Sequence, residues 1–208
     1  QVAEAISIYS IFPDPAQPRR SVPSAVRAFW NGTPQMVSAM FSEWWRLAQE
    51  EMGTTFDLRA WLLQEDSESE AEEAPVMGGI EASLRVLTQL AASIVRDGLT
   101  NPITIARRGD QYQLETGERR WLAYHLLYWL LQDEQWTRIP ARVMDSVNVW
   151  RQASENAARQ DLNAIGRARQ YAVLLMDLWK TDEKAPRAFK PMEECSTDRE
   201  YYAQVVGL

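Results

Sequence analysis

Gly117-Glu118-Arg119-Arg120 is the run of this sequence with the clearest chemical promise. It falls where a strand-like stretch turns into a helix-like one, and a helix N-terminus presents outward-pointing backbone N–H groups and a positive dipole end. A glycine there lets the backbone come close to an anion, and guanidinium groups grip phosphate oxygens through a two-pronged fork. Neighbouring helical residues point about 100° apart, so the two arginines need not serve one phosphate. Taken alone, the run also reads as a plain helix start carrying surface arginines. A second run, Glu155-Asn156-Ala157-Ala158-Arg159, precedes Asp161-Leu162-Asn163. Glu155 and Asn156 offer hard oxygen ligands of the kind Mg²⁺ takes beside substrate phosphates. Arg159 follows one helical turn later, and the simpler alternative is an i,i+4 Glu–Arg pair on an exposed face.

The third chemical feature is the loop Phe12-Pro13-Asp14-Pro15-Ala16-Gln17-Pro18-Arg19-Arg20. Its prolines disfavour regular structure and stiffen the backbone that carries the arginines. Sulfur and imidazole chemistry has little to work with, since Cys195 and His125 are the only residues of their kinds. One thiol excludes a disulfide within the chain and suits a reducing cytoplasm, and one Cys with one His cannot build a structural zinc site. No motif supports a Cys–His nucleophilic pair. Cys195 reads as a thiol near a loop and His125 as a packed or capped helix residue.

The elements that must hold these groups follow from periodicity and punctuation. Ile6 to Ile11 is rich in β-branched residues and predicts one short strand. Met36, Met40, Phe41, Trp44, Trp45, Leu47 and Ala48 recur at helical spacing and predict a helix from Pro34 to Met52. A shorter helix is expected over Leu58 to Gln64. A long one is expected over Ile80 to Asp97, with Leu84, Leu87, Ala91 and Ile94 as its apolar stripe and Gly98 as its stop. Ile103 to Ala106 and Tyr112 to Glu115 read as strands joined by a Gly109-Asp110 turn. Gly117 then opens an apolar helix ending near Leu131, and Ile139 to Met144 is another strand. Helices over Val147 to Arg159 and Asn163 to Trp179 follow, and a last one begins near Ser196. The mixture with a hairpin predicts an α+β fold.

Bulk properties set bounds on the rest. The chain has 208 residues, 46% of them hydrophobic and 25% charged, an ordinary globular balance. Its net charge of −7 speaks against a protein that coats nucleic acid along its whole surface. The acids are uneven: Glu65, Asp66, Glu68, Glu70, Glu72 and Glu73 crowd one stretch, which reads as a solvated linker. A local anion site is compatible with such a chain. The first ten residues lack a secretory pattern, and Trp121 to Leu131 is too short to cross a membrane. The expectation is a piece excised from a longer protein.

In order and content these motifs resemble the N-terminal domain of the ParB family. The resemblance rests on Pro15-Ala16-Gln17-Pro18-Arg19, on Gly98-Leu99-Thr100-Asn101-Pro102-Ile103, and on Gly117 to Arg120. Ile139-Pro140-Ala141-Arg142-Val143 and Glu155 to Leu162 complete the series. It covers residues 6–20 and 84–175 and implies a ParB/sulfiredoxin-like fold with a CTP pocket. By that resemblance Gln17 and Arg19 approach the nucleotide, and Asn101 lies near the base. Gly117, Glu118, Arg119 and Arg120 cradle the triphosphate, Glu155 and Asn156 hold Mg²⁺, and Arg159 reaches the phosphates. It further implies a homodimer that closes on DNA, slow CTP hydrolysis, and a cytoplasmic, nucleoid-associated location.

The implied division is a core of residues 1–20 and 76–146, an inserted helical, Trp-rich segment 21–75, and helices over 147–208. The insertion departs from the family, as do Leu122 and Ala158, which stand where members often carry Arg and Gln. Its tryptophans can pack on the core or form a surface for a protein partner. No helix-turn-helix is evident over 181–208. Two further functions stay open: a small-molecule kinase of the same fold using ATP, with Glu118 as candidate base, and a degenerate interaction module without nucleotide. The sulfiredoxin branch needs a cysteine at the phosphate turn, which is absent here, and no dense carboxylate cluster points to a nuclease.

Overall fold

The computed structural model describes residues 2–14, 21–63, 79–148, 150 and 164–181. The expected N-terminal strand is in fact two. β1 (Glu4–Ser7) and β2 (Ile11–Pro13) are separated by a 3-10 turn, Ile8–Ser10. The remaining strands are β3 (Ile103–Arg108), β4 (Gln111–Thr116) and β5 (Arg138–Met144), in the sheet order β1-β5-β3-β4-β2. β1 runs antiparallel to β5 and β2 parallel to β4, so consecutive strands form opposite edges of one sheet.

That placement is the physical reason for the break. From Ser7 to Ile11 the chain reaches at most roughly 15 Å, whereas the edges of a flat five-stranded sheet lie roughly 19 Å apart. The sheet must therefore curl to bring its edges within reach. Ile8 and Ile11 are fully buried inside the curl. β3 and β4 form the expected hairpin, with Gly109 at φ +62° in its turn and a register shift between Thr104 and Ile105. β3 also runs parallel to β5, pairing Ile103 with Ala141.

The helices pack mainly on one another, and the most buried of them also meets β3 and β5. α1 (Ser24–Arg27) is a single turn; α2 (Val37–Met52) and α3 (Leu58–Leu63) complete the helices of the inserted segment. α4 (Ile80–Asp97) buries Leu84, Leu87, Ala91 and Ile94, the stripe its spacing predicts, together with Leu90, and Gly98 closes it at φ +78°. α5 (Glu118–Leu131) is buried almost all round, as its unbroken apolar run requires. α2 packs on both α4 and α5. Trp44 is fully buried and its indole N–H donates to the Ile80 carbonyl at 3.0 Å. At the other end of α2, the Glu51 carboxylate accepts the Glu81 backbone N–H at 2.6 Å and so caps α4.

The chain divides into two compact units, the first formed by 1–13 with 20–147 and the second by 14–19 with 148–208. Within the second, α6 (Ala164–Thr181) buries Ala172, Val173 and Met176, and the Trp150 indole donates to the Asp177 carboxylate at 2.9 Å. Of the expected helix over Val147 to Arg159, Val147 and Asn148 are described and are not helical, Trp150 is helical, and the rest lies outside the described residues, as do the acidic stretch, Cys195 and the expected last helix.

Candidate functional site

The turn between β4 and α5 is built around Gly117, whose φ is +96°. A Cβ there would lie 2.6 Å from Cγ2 of Ile103, so backbone conformation and space both require glycine. The Gly117 carbonyl accepts the Trp121 N–H at 3.0 Å and starts the helix, while no side chain caps it. The amides of a first helical turn point along the axis and form an anion-receptive end. Beside the turn, the Thr116 hydroxyl is buried without a hydrogen-bond partner among the described residues. A buried orphan of this kind is costly and is usual where a ligand or water completes the site.

Arg120 ties this turn to the loop after α4. Its Nη1 donates to the carbonyls of Asn101 at 2.5 Å and Pro102 at 3.0 Å, and the residue is only 4% exposed. Two motifs that are separate in sequence, 98–103 and 117–120, thus converge at one end of the sheet, with Asn101 exposed beside them. Arg119, next to it, is half-buried on the first turn of α5.

Glu118 is also engaged. Its carboxylate accepts the Ser21 backbone N–H at 3.1 Å and pairs with the Arg27 guanidinium at 3.6 Å, and its side chain is 5% exposed. Ser21 follows the proline loop in the chain, and Glu118 holds its backbone N–H next to the glycine turn. Sequence reasoning missed Ser21, Arg27 and Thr116 as parts of this site. None stands in a recognisable motif, and only a three-dimensional contact reveals them. Conversely, Gln17, Arg19, Glu155, Asn156 and Arg159 lie outside the described residues. Among the described residues no group of three or more His, Cys, Asp or Glu side chains is gathered as a metal site.

Of the two readings of the inserted tryptophans, the described residues show packing. Trp30 and Trp44 are buried, and Trp45 and Trp61 pack partly buried against the same core. No helix among the described residues is long and apolar enough to cross a membrane.

Residues 81–153, from α4 past β5, match the ParB N-terminal domain family. The likeness first read from spaced motifs is borne out over that stretch. Among curated proteins, the nucleoid occlusion protein of Shouchella clausii is 37% identical over 92 residues, which is 43% of this chain and 30% of that protein. The chromosome-partitioning protein Spo0J of Thermus thermophilus is 37% identical over 106 residues, covering 49% of this chain and 36% of that protein. The probable chromosome 1-partitioning protein ParB of Deinococcus radiodurans is 34% identical over 94 residues, 43% of this chain and 30% of that protein. The matches thus span 30% to 36% of these relatives' lengths. A crystal structure of C-terminally truncated ParB from Caulobacter crescentus complexed with CTP-gamma-S aligns over all of this chain and 72% of that one. Its TM-score is 0.39 at 17% identity, a likeness too slight to carry an argument.

Proposed function

We propose that this chain binds a nucleoside triphosphate, CTP by the family resemblance, together with Mg²⁺, and that binding switches its hold on DNA. The observation that supports this best is the Arg120 bridge. It pins the Asn101–Pro102 carbonyls to the Gly117 turn, so a loop suited to a base and a helix end suited to phosphates lie together. The orphan Thr116 hydroxyl adds a polar group at the same place.

In this reading Gly117 and the first amides of α5 receive the triphosphate, with the Arg119 guanidinium against it. Gln17 and Arg19 come from the proline loop, and Glu118 holds the N–H of Ser21, which follows it in the chain. Arg120 and Glu118 then act mainly by shaping the site, because both side chains already serve bonds within the protein. Glu118 is correspondingly poorly placed to be the base of a kinase. Glu155 and Asn156 would hold Mg²⁺, and Arg159 would reach the phosphates. The metal supplies charge neutralisation across the phosphate oxygens. The curated relatives are named for nucleoid occlusion and chromosome partitioning. Those names agree with a nucleoid-associated, cytoplasmic location, while the homodimer closing on DNA and the slow hydrolysis resetting it rest on the family resemblance alone. The inserted segment 21–75 is, in this reading, an addition to a core of 1–20 and 76–146, with 147–208 as the helical extension.

The test is calorimetric titration of CTP, ATP, GTP and UTP with Mg²⁺ into the wild type and Arg119→Ala. CTP-selective binding, weakened at least about tenfold by losing one charge-assisted phosphate contact, is the expected result. Preference for ATP would favour the kinase, and absence of any nucleotide binding would leave an interaction module.

A further inference from the structure

The inserted segment touches the candidate site at one charged point. Arg27, at the end of α1, sets its guanidinium 3.6 Å from the Glu118 carboxylate. Its position is held by aromatic packing. The guanidinium lies 5.9 Å from the Trp30 ring centroid, and Trp30 stacks on Trp121 of α5 with centroids 6.3 Å apart. The Trp30 indole donates to the Thr33 carbonyl at 2.8 Å, and the Trp121 indole to the Ile8 carbonyl at 3.0 Å. Arg27 therefore rests on a frame that includes the site helix itself.

The electrostatics of the turn give this contact a purpose. Glu118 is the first residue of α5, so its carboxylate sits at the helix end proposed to receive phosphate. A buried carboxylate there repels an anion through a low-dielectric surround, where charges interact far more strongly than in water. The Ser21 N–H offers it a hydrogen bond but no full charge. A guanidinium does offer one, and it is always protonated.

We infer that the inserted segment supplies Arg27 as a positioning residue of the phosphate turn, neutralising Glu118 so that the turn accepts a highly charged triphosphate. Arg27 acts through Glu118 and makes no phosphate contact of its own. This rests on the nucleotide-binding reading above. It makes the insertion part of the site and not an independent attachment.

The test is a double-mutant cycle read by calorimetry with CTP and CMP in the presence of Mg²⁺, with a thermal melt of each protein. The expected result for Arg27→Met is a loss of CTP affinity of about tenfold, with a smaller loss for CMP, which carries less charge. In the Glu118→Gln background the same Arg27→Met change should alter CTP affinity less than about twofold, because no carboxylate remains to be neutralised. Arg27→Lys should stay close to wild type, since it keeps the charge. Wild-type affinity in a folded Arg27→Met protein would overturn the inference. So would equal losses in both backgrounds, the signature of a direct phosphate contact. If Arg27→Met does not fold, Arg27→Gln takes its place in the same cycle, with the same two outcomes deciding. A wild type that binds neither nucleotide would overturn the nucleotide reading itself, an outcome distinct from the other two.

Discussion

His125 is the only histidine, and the fold commits it to the neutral form. Its ring meets Tyr9 edge-on at 5.3 Å and Trp121 at 4.5 Å, and its Nε2 is buried with no hydrogen-bond partner among the described residues. Burial pushes its pKa from 6.5 down to about 3, opposed in part by a hydrogen bond with the Ile8 backbone. The unfolded chain takes up a proton below about pH 6.5 while the folded chain does not. The stability this residue preserves is therefore complete above pH 6.5 and is lost as the pH falls toward 3. The slope approaches about 1.4 kcal/mol per pH unit within that window. Urea unfolding of the wild type and His125→Phe should show the variant gaining on the wild type by more than about 1 kcal/mol between pH 6.5 and about 5. A gap that does not move with pH would rule out the buried neutral ring. At this same scale the sequence was only partly readable. Gly117 is legible as a point where backbone can approach an anion closely, but its φ of +96° is not, because a residue just before a helix start is ordinarily extended. The orientations of Glu118 and Arg120 are not legible either, because residue type says nothing of whether a side chain turns toward a ligand or toward Ser21, Arg27 and the Asn101 carbonyl.

At the scale of elements, periodicity carries most of the fold. The α4 stripe, the hairpin and the buried α5 follow from spacing that admits few other structures. The split between β1 and β2 does not follow from it. Ile6, Ile8 and Ile11 look like one strand, and only the need to pair Glu4–Ser7 with β5 and Ile11–Pro13 with β4 breaks it. The inserted helix shows the same limit from the other side. Its apolar face is legible, but what that face meets is not. Trp44 stacks on Phe41 with centroids 6.3 Å apart and bonds the first residue of α4. Trp44→Ala should cost about 3–5 kcal/mol, as for a large aromatic removed from a packed core. Phe29→Ala, at a half-exposed position of the same segment, should cost less than about 0.5 kcal/mol. Denaturant midpoints with unchanged slopes would measure both. A small effect of Trp44→Ala would mean that α2 is a loosely held addition.

For the molecule as a whole, the stretch that the family match covers is shorter than the stretch whose contacts build the core. Residues 81–153 hold α4, β3, β4, α5 and β5 but neither edge of the sheet. Both edges come from Glu4–Pro13, so without them β5 and β4 each expose a row of unpaired backbone groups, a template for aggregation. The same cut removes Ile8 and Ile11 from the inside of the curl, and Phe41 and Trp44 from the faces of α4 and α5. It also leaves the buried Trp121 indole without the Ile8 carbonyl. Losing so many apolar contacts exceeds the narrow margin of about 5–15 kcal/mol by which a domain is stable. A fragment of residues 81–153 should therefore be aggregated or lack fixed tertiary packing, with weak near-ultraviolet circular dichroism and no cooperative melt. A fragment of residues 2–147, which keeps both edges and the inserted helices, should melt cooperatively. Cooperative melting of 81–153 alone would show that the N-terminal strands and the insertion decorate a self-sufficient core. Its failure beside a folded 2–147 would show that residues outside the family match are required for this chain to fold.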